Sequence, residues 1–117
     1  MDVTEIKGDD YTIEYDPESV IIKFDGELAL GGPKDYKPIT DFMNTIVEEK
    51  PEKITLDVRK LNFLNSSGIS MLSKFAISFR RNEDTDLIVL GSKKVPWQNK
   101  SLKNLEKLLP KLQLIYD

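Results

Sequence analysis

The chain has 117 residues, with 17 Lys and Arg against 20 Asp and Glu, a formal net charge of −3, and neither His nor Cys. That length fits one domain of ordinary size, with room for a real core. The two zeros exclude disulfides, thiolate chemistry, a Ser–His–Asp triad and zinc sites built from Cys and His, and leave Asp, Glu, Lys and Tyr as acid–base groups.

Residues 1–10 are polar and charged and read as a flexible leader to a single domain over residues 11–117. Tyr11 to Tyr15 alternates apolar and polar residues, the mark of a half-buried strand. Asp16-Pro17-Glu18-Ser19 is a turn, with Pro at its second position. Val20 to Phe24 is β-branched and reads as the returning strand. Asp25-Gly26 is a second turn or a bulge, and Glu27 to Leu30 reads as a third strand, broken by Gly31-Gly32-Pro33. The period then changes. Tyr36, Ile39, Phe42, Met43, Ile46 and Val47 recur at three- and four-residue steps and predict an amphipathic helix, with Pro38 in its first turn and Pro51 closing it.

Ile54 to Val58 is a short strand. Phe63 to Gly68 leads into a second helix whose buried stripe is expected at Ile69, Leu72, Phe75, Ala76 and Phe79. Leu87 to Leu90, ended by Gly91, has the near-continuous apolar character of a strand covered on both faces. A third helix is predicted between Trp97 and Leu109, stopped by Pro110, and Leu112 to Tyr116 is a last strand. The order is β-β-β-α-β-α-β-α-β. Strands alternating with helices after Gly31 call for crossover units and a mixed sheet that is antiparallel first and largely parallel afterwards.

The acidic balance disfavours nucleic acid as a partner. The apolar runs are too short to span a bilayer, and Met1 to Glu5 lacks the basic and apolar regions of a signal peptide, so a cytoplasmic protein without membrane insertion is expected. No phosphate-binding glycine motif, cofactor motif, metal-ligand pattern or paired catalytic carboxylates stand out, and a non-enzyme is expected.

The stretch from Ile54 to Ile69, ITLDVRKLNFLNSSGI, resembles the core signature of the STAS family, the anti-sigma-factor-antagonist-like domains. The family pattern is a strand ending in Leu-Asp-Leu, a short loop, then Asp-Ser-Ser-Gly opening a helix. Asp25-Gly26-Glu27-Leu28 resembles the family's turn before its first helix, and Leu108 to Asp117 resembles its ending. The resemblance implies a single α/β domain with helices packed on a mixed sheet. It also implies a bacterial-type, non-catalytic regulator without cofactor or metal, working by partner switching. The family's usual phosphorylation site, the serine directly before the Gly, falls on Ser67, with Ser66 as second choice. The implied partners are a serine kinase of anti-sigma type and a cognate phosphatase; the expected contact residues are Asn65, Ser66, Asp25 and Gly26 around the matched motifs, with Ser70, Met71 and Lys74 from their place on the second helix. Two positions depart from the pattern: Asn65 and Ala29 stand where the family has Asp. They favour the alternative of a non-phosphorylated STAS scaffold or subunit in a larger signalling or lipid-transport complex.

The residues themselves permit a second account of the same corner. Asn65, Ser66 and Ser67 are all good helix N-caps, so one of them could cap and the others be solvated neighbours. Ser67, Met71, Lys74, Ser78 and Arg81 fall on one side of the second helix, either an ordinary solvated face or a docking surface with Met71 as an adaptable contact. Asp57 either hydrogen-bonds loop amides or shapes the pocket of Ser67.

Overall fold

The computed structural model describes residues 4–117. The elements are β1 (Glu5–Lys7), β2 (Tyr11–Asp16), β3 (Ile21–Leu28), α1 (Pro33–Glu48), β4 (Lys53–Leu64), α2 (Ser66–Ser78) with a 3-10 turn over Phe79–Arg81, β5 (Asp86–Gly91), α3 (Pro96–Leu108) and β6 (Gln113–Tyr116). The six strands form one sheet in the order β1-β2-β3-β4-β5-β6. The first two pairings are antiparallel and the last three parallel. From β3 onward every crossover steps the same way across the sheet. Right-handed crossovers therefore place all three helices on one face.

That face carries the core. Ile13, Ile22, Phe24, Ile54, Leu56, Val58, Leu87 and Val89 point from the sheet into it, and Ile39, Met43, Ile46, Leu72, Phe75 and Leu102 meet them from the helices. Two aromatic edge contacts sit inside, Tyr15–Phe42 at 6.3 Å and Phe75–Phe79 at 5.1 Å between ring centres. Such pairs add about 0.5–1.5 kcal/mol beyond the area they bury.

The element order agrees with the sequence reading, but the first three strands are distributed differently. Residues 1–3 of the expected leader lie outside the described residues, and Glu5–Lys7 form the edge strand β1 beside β2. No separate strand covers Glu27 to Leu30. Instead β3 continues through Asp25-Gly26 to Leu28, taking up the irregularity as register shifts against β4 on both sides of that dipeptide. Gly26 has φ +98, and a Cβ there would run into the Asp10 carbonyl, so glycine is what lets β2 and β3 stay paired. β4 likewise runs past Val58 to Leu64. Its last buried residues, Leu61 and Leu64, come at three-residue steps, which hides the strand from a period-two reading.

α1 begins at Pro33, earlier than Tyr36, so Pro38 lies in its second turn rather than its first. There it removes one helical hydrogen bond, the one its missing N–H would give to the carbonyl four residues back. At the far side of the sheet, α3 is tied to β4 by Gln98. Its amide donates to Val58 O at 2.6 Å and Leu61 O at 3.2 Å and accepts from Ser92 N at 2.8 Å. The Trp97 indole N–H adds a bond to Leu61 O at 2.7 Å.

Candidate functional site

Because β3 and β4 are parallel, α1 and α2 both start at the same edge of the sheet, and their first turns lie side by side. The corner between them is organised by Asn65. Of the three candidates, Asn65 is the N-cap of α2, its side-chain oxygen accepting from Gly68 N at 3.0 Å. The same oxygen accepts from the Tyr36 hydroxyl at 2.6 Å, and the amide nitrogen donates to Leu30 O at 2.8 Å. One side chain thus joins the β3–α1 loop, the first turns of α1 and the start of α2. Tyr36 is buried, and burial pushes its phenol up, so it remains a donor at neutral pH. Gly68 makes this closeness possible. A Cβ there would collide with the Leu64 side chain and lie 2.7 Å from the Tyr36 hydroxyl.

This arrangement explains the Asn where the resemblance leads one to expect Asp. The bond to Leu30 O needs a donor, which an ionised carboxylate lacks. It also releases the two serines. The side-chain hydrogen bonds of the corner run through Asn65 and Tyr36, and none of them uses Ser66 or Ser67. Ser66 and Ser67 are the first two residues of α2, Ser66 exposed and Ser67 half-buried. The first turn of α2 has no acidic residue, so the partial positive charge of the helix start is not offset locally.

Ser67 opens onto a hollow of about 420 Å³ between α1 and α2. Ser70, Met71 and Lys74 line it from α2, and Lys34, Tyr36, Lys37 and Thr40 from α1. Its ionisable lining is cationic, apart from the Tyr36 phenol, and contains no carboxylate, in a chain that is acidic overall. Lys37 is already engaged with Asp41 at 2.7 Å.

The structure therefore brings together four of the expected residues, Ser67, Ser70, Met71 and Lys74, beside the cap Asn65 and the exposed Ser66. It corrects the role of Met71. Expected on the solvated face, Met71 is only 6% exposed and belongs to the core cluster while touching the hollow from below. Ile69, expected in the buried stripe, is half-buried. The rest of the expected stripe, Leu72, Phe75, Ala76 and Phe79, is buried, and the stripe takes in Gly68 and Met71 in place of Ile69. Ser78 and Arg81 do not share the hollow; they border a different depression at the other end of the helices, with Glu48, Glu83 and Asp84. Asp25 and Gly26 lie within β3, opposite the irregular stretch of β4, and do not line the hollow either, and Gly26 has a backbone reason of its own.

Asp57 is also elsewhere. It alternates with Leu56 and Val58, so it projects from the helix-free face of the sheet, where Arg59 covers it with bonds of 3.0 and 2.9 Å from the guanidinium and 3.2 Å from its backbone N–H. Burial by itself pushes the Asp57 carboxyl up. The hydrogen bonds and charge of Arg59, with Lys23 adding, outweigh this and hold it below the usual carboxylate range. Neither expected role of Asp57 is the one observed: its bonds all go to Arg59, within β4, and not to loop amides or to the pocket of Ser67.

Sequence reasoning missed the contribution of α1. Lys34 and Lys37 stand one turn apart beside the apolar stripe that begins at Tyr36, and that spacing was the available signal. Among the described residues there is no group of three acidic side chains placed to hold a metal ion, and no helix is long and apolar enough to cross a membrane.

Neither a protein-family model nor a curated protein matches the sequence. Solved structures do match the fold. SiaC of Pseudomonas aeruginosa superimposes with a TM-score of 0.72 at 13% identity, over 100% of this chain and 98% of that one. An anti-sigma factor antagonist from Mycobacterium paratuberculosis matches with a TM-score of 0.66 at 18% identity, over 92% of this chain and 88% of that one. A chain from the crystal structure of the diguanylate cyclase SiaD in complex with its activator SiaC, from Pseudomonas aeruginosa, matches with a TM-score of 0.71 at 11% identity, over 97% and 98%.

Proposed function

We propose that this chain, whose fold is STAS-like, is a non-catalytic regulatory module that binds a protein partner over the α1–α2 corner and is switched by phosphorylation at Ser67. The observation that carries the reading is the division of labour at the start of α2. Asn65 holds the turn, so Ser67 is spare. A kinase can transfer the γ-phosphoryl group of ATP to the Ser67 oxygen, releasing ADP and the hydroxyl proton, without removing any bond that the fold depends on. A phosphoserine brings about −1.5 to −2 charges and three acceptor oxygens. A partner packed over the unmodified corner would then face a desolvated dianion, and leaving a buried charge unpaired costs about 3–5 kcal/mol. That is enough to weaken binding more than a hundredfold.

Two of the similar structures carry names that fit such a role, one an anti-sigma factor antagonist and the other an activator found in complex with a cyclase. They support a protein partner. The partner inferred for this chain is a serine kinase of anti-sigma type, with a phosphatase to reverse the modification, acting in a bacterial cytoplasm. The second reading is a permanent subunit of a larger signalling or lipid-transport complex, without phosphorylation. What favours it is that Asn65 and Ala29 leave the serine corner without either acid of the family pattern.

Intact mass of the chain isolated from its native host separates the two, because only the switch adds phosphate. Affinity capture with wild type, Ser67→Ala and Ser67→Asp as baits then tests the mechanism. A kinase retained by the first two and lost by the third is the expected result. One complex held equally by all three baits overturns the switch.

A further inference from the structure

If Ser67 carries phosphate, that group emerges into a hollow with an unusual lining. Lys34, Lys37 and Lys74 are the charged groups, no carboxylate lines it, and Met71 and the Tyr36 ring provide an apolar floor. Lys37 has a partner in Asp41. Lys34 and Lys74 appear in neither of the ion pairs found among the described residues. Lys74 lies seven residues after Ser67, two turns along the same side of α2 and about 10.5 Å of rise away. Helical side chains lean toward the N-terminus of their helix, so the Lys74 stem is directed back over Ser70 toward Ser67. Lys34 comes from the second position of α1, across the hollow. Both are flexible stems ending in three rotatable donors, which lets them follow a phosphate that the unmodified protein does not contain.

We propose that phosphate on Ser67 is held in cis by Lys34 and Lys74 within the α1–α2 hollow. The switch is then an internal clasp: it fills the hollow and consumes its free cations, and it displaces the partner by occupying that space rather than by leaving an unpaired charge against it. This rests on the reading of Ser67 as the modified residue, but it is testable apart from it. The apolar floor strengthens the contact, because charges that meet against apolar surface are screened less than charges in open water.

The test uses the full chain with phosphoserine incorporated at position 67 during synthesis, so no cellular kinase is involved. The second ionisation of phosphoserine lies at about pH 6. Nearby cations favour the dianion and lower that value. A phosphorus NMR titration is expected to place it about 0.5 unit or more below that of the same phosphoprotein carrying Lys34→Ala and Lys74→Ala. Exchanging Lys37→Ala instead should move it less. Both clasp lysines are exposed, and a proton–nitrogen correlation spectrum confirms that the fold is kept. Equal phosphate ionisation in the wild-type and double-variant phosphoproteins overturns the clasp. Absence of phosphate on the chain from its native host overturns the switch reading and leaves this result standing.

Discussion

At the start of α2 the groups that hold the turn lie behind the helix and two hydroxyls remain outside. At the start of α3 the polar side chains that hold the turn, Ser92 and Gln98, are buried, and the exposed polar residues around them, Lys93, Lys94 and Asn99, are not hydroxyls. Both entrances lie at the same edge of the sheet, after β4 and after β5. Val95, the N-cap of α3, offers no side-chain acceptor, and Pro96 follows it. The fixing residue is Gln98, fully buried and bonded to three backbone groups. The comparison teaches where change is tolerated. The α3 entrance has spent its polar groups on rigidity, whereas at α2 one residue, Asn65, does the fixing and leaves Ser66 and Ser67 free to be chemically altered.

Breaking the α3 entrance should cost most. Gln98→Leu leaves Ser92 N–H and Val58 O without this partner inside the protein, and each orphaned buried group costs about 1–3 kcal/mol. Urea unfolding is expected to show a loss of about 2–4 kcal/mol. A loss under about 1 kcal/mol would mean that those groups find other partners.

At α2, Asn65→Ala removes the cap and frees Tyr36 and Leu30, an expected loss of about 2–3 kcal/mol. Asn65→Asp keeps the cap and the Tyr36 bond but sets a carboxylate against Leu30 O. It should cost less, about 1 kcal/mol, by the same measurement. If Asp and Ala prove equally damaging, the Leu30 bond dominates the corner and the cap contributes little.

Acid sharpens the comparison, since the fixing residues of both entrances are uncharged amides. Asp57, away from both, has a folded pKa below its unfolded value of about 3.9. Its contribution is complete above that pH and is lost as pH falls through the folded value. Asp57→Asn should lower stability at neutral pH by about 1–3 kcal/mol, the range for hydrogen bonds to a charged group, and flatten the stability curve below about pH 4. An unchanged acid limb would assign that limb to other carboxylates. The smallest effect belongs to Ser67→Ala, which should shift stability by no more than about 0.5 kcal/mol, since no hydrogen bond of the fold depends on it. A larger loss would make Ser67 a structural residue and weaken the case for a switch.

The corner could be read from the sequence in part. Asn65-Ser66-Ser67 announced a helix start, and it was the family resemblance, not the residues by themselves, that pointed to Ser67. Which of the three caps was not local information. The deciding partners, Tyr36 and Leu30, lie 29 and 35 residues away along the chain. Met71 was misplaced for a related reason. Spacing fixes which residues share a side of α2, but how far the buried side extends depends on contacts distant in the chain, such as that of Gly68 with Tyr36. The full length of β4 escaped because extra residues opposite β3 break the period of two on which strand reading depends, whereas β3 keeps that period and escaped because Asp25-Gly26 reads as a turn. β1 escaped because three residues of alternating Glu, Ile and Lys carry too little pattern. Gln98 did leave a trace: with Leu102, Leu105 and Leu109 it falls at steps of four, three and four, a polar residue in line with an apolar stripe.

The strand order has one more consequence. Position in the sheet and position in the chain are the same, from β1 to β6. No strand is inserted between two others, and each new one adds to an edge that its predecessor already forms. For a protein made from its N-terminus onward this is a growth sequence. Once Leu64 has emerged from the ribosome all the residues of four adjacent strands are available to pair, and the serine corner, which needs only Leu30, Tyr36 and Asn65 besides α2, can close before the last third of the chain has emerged.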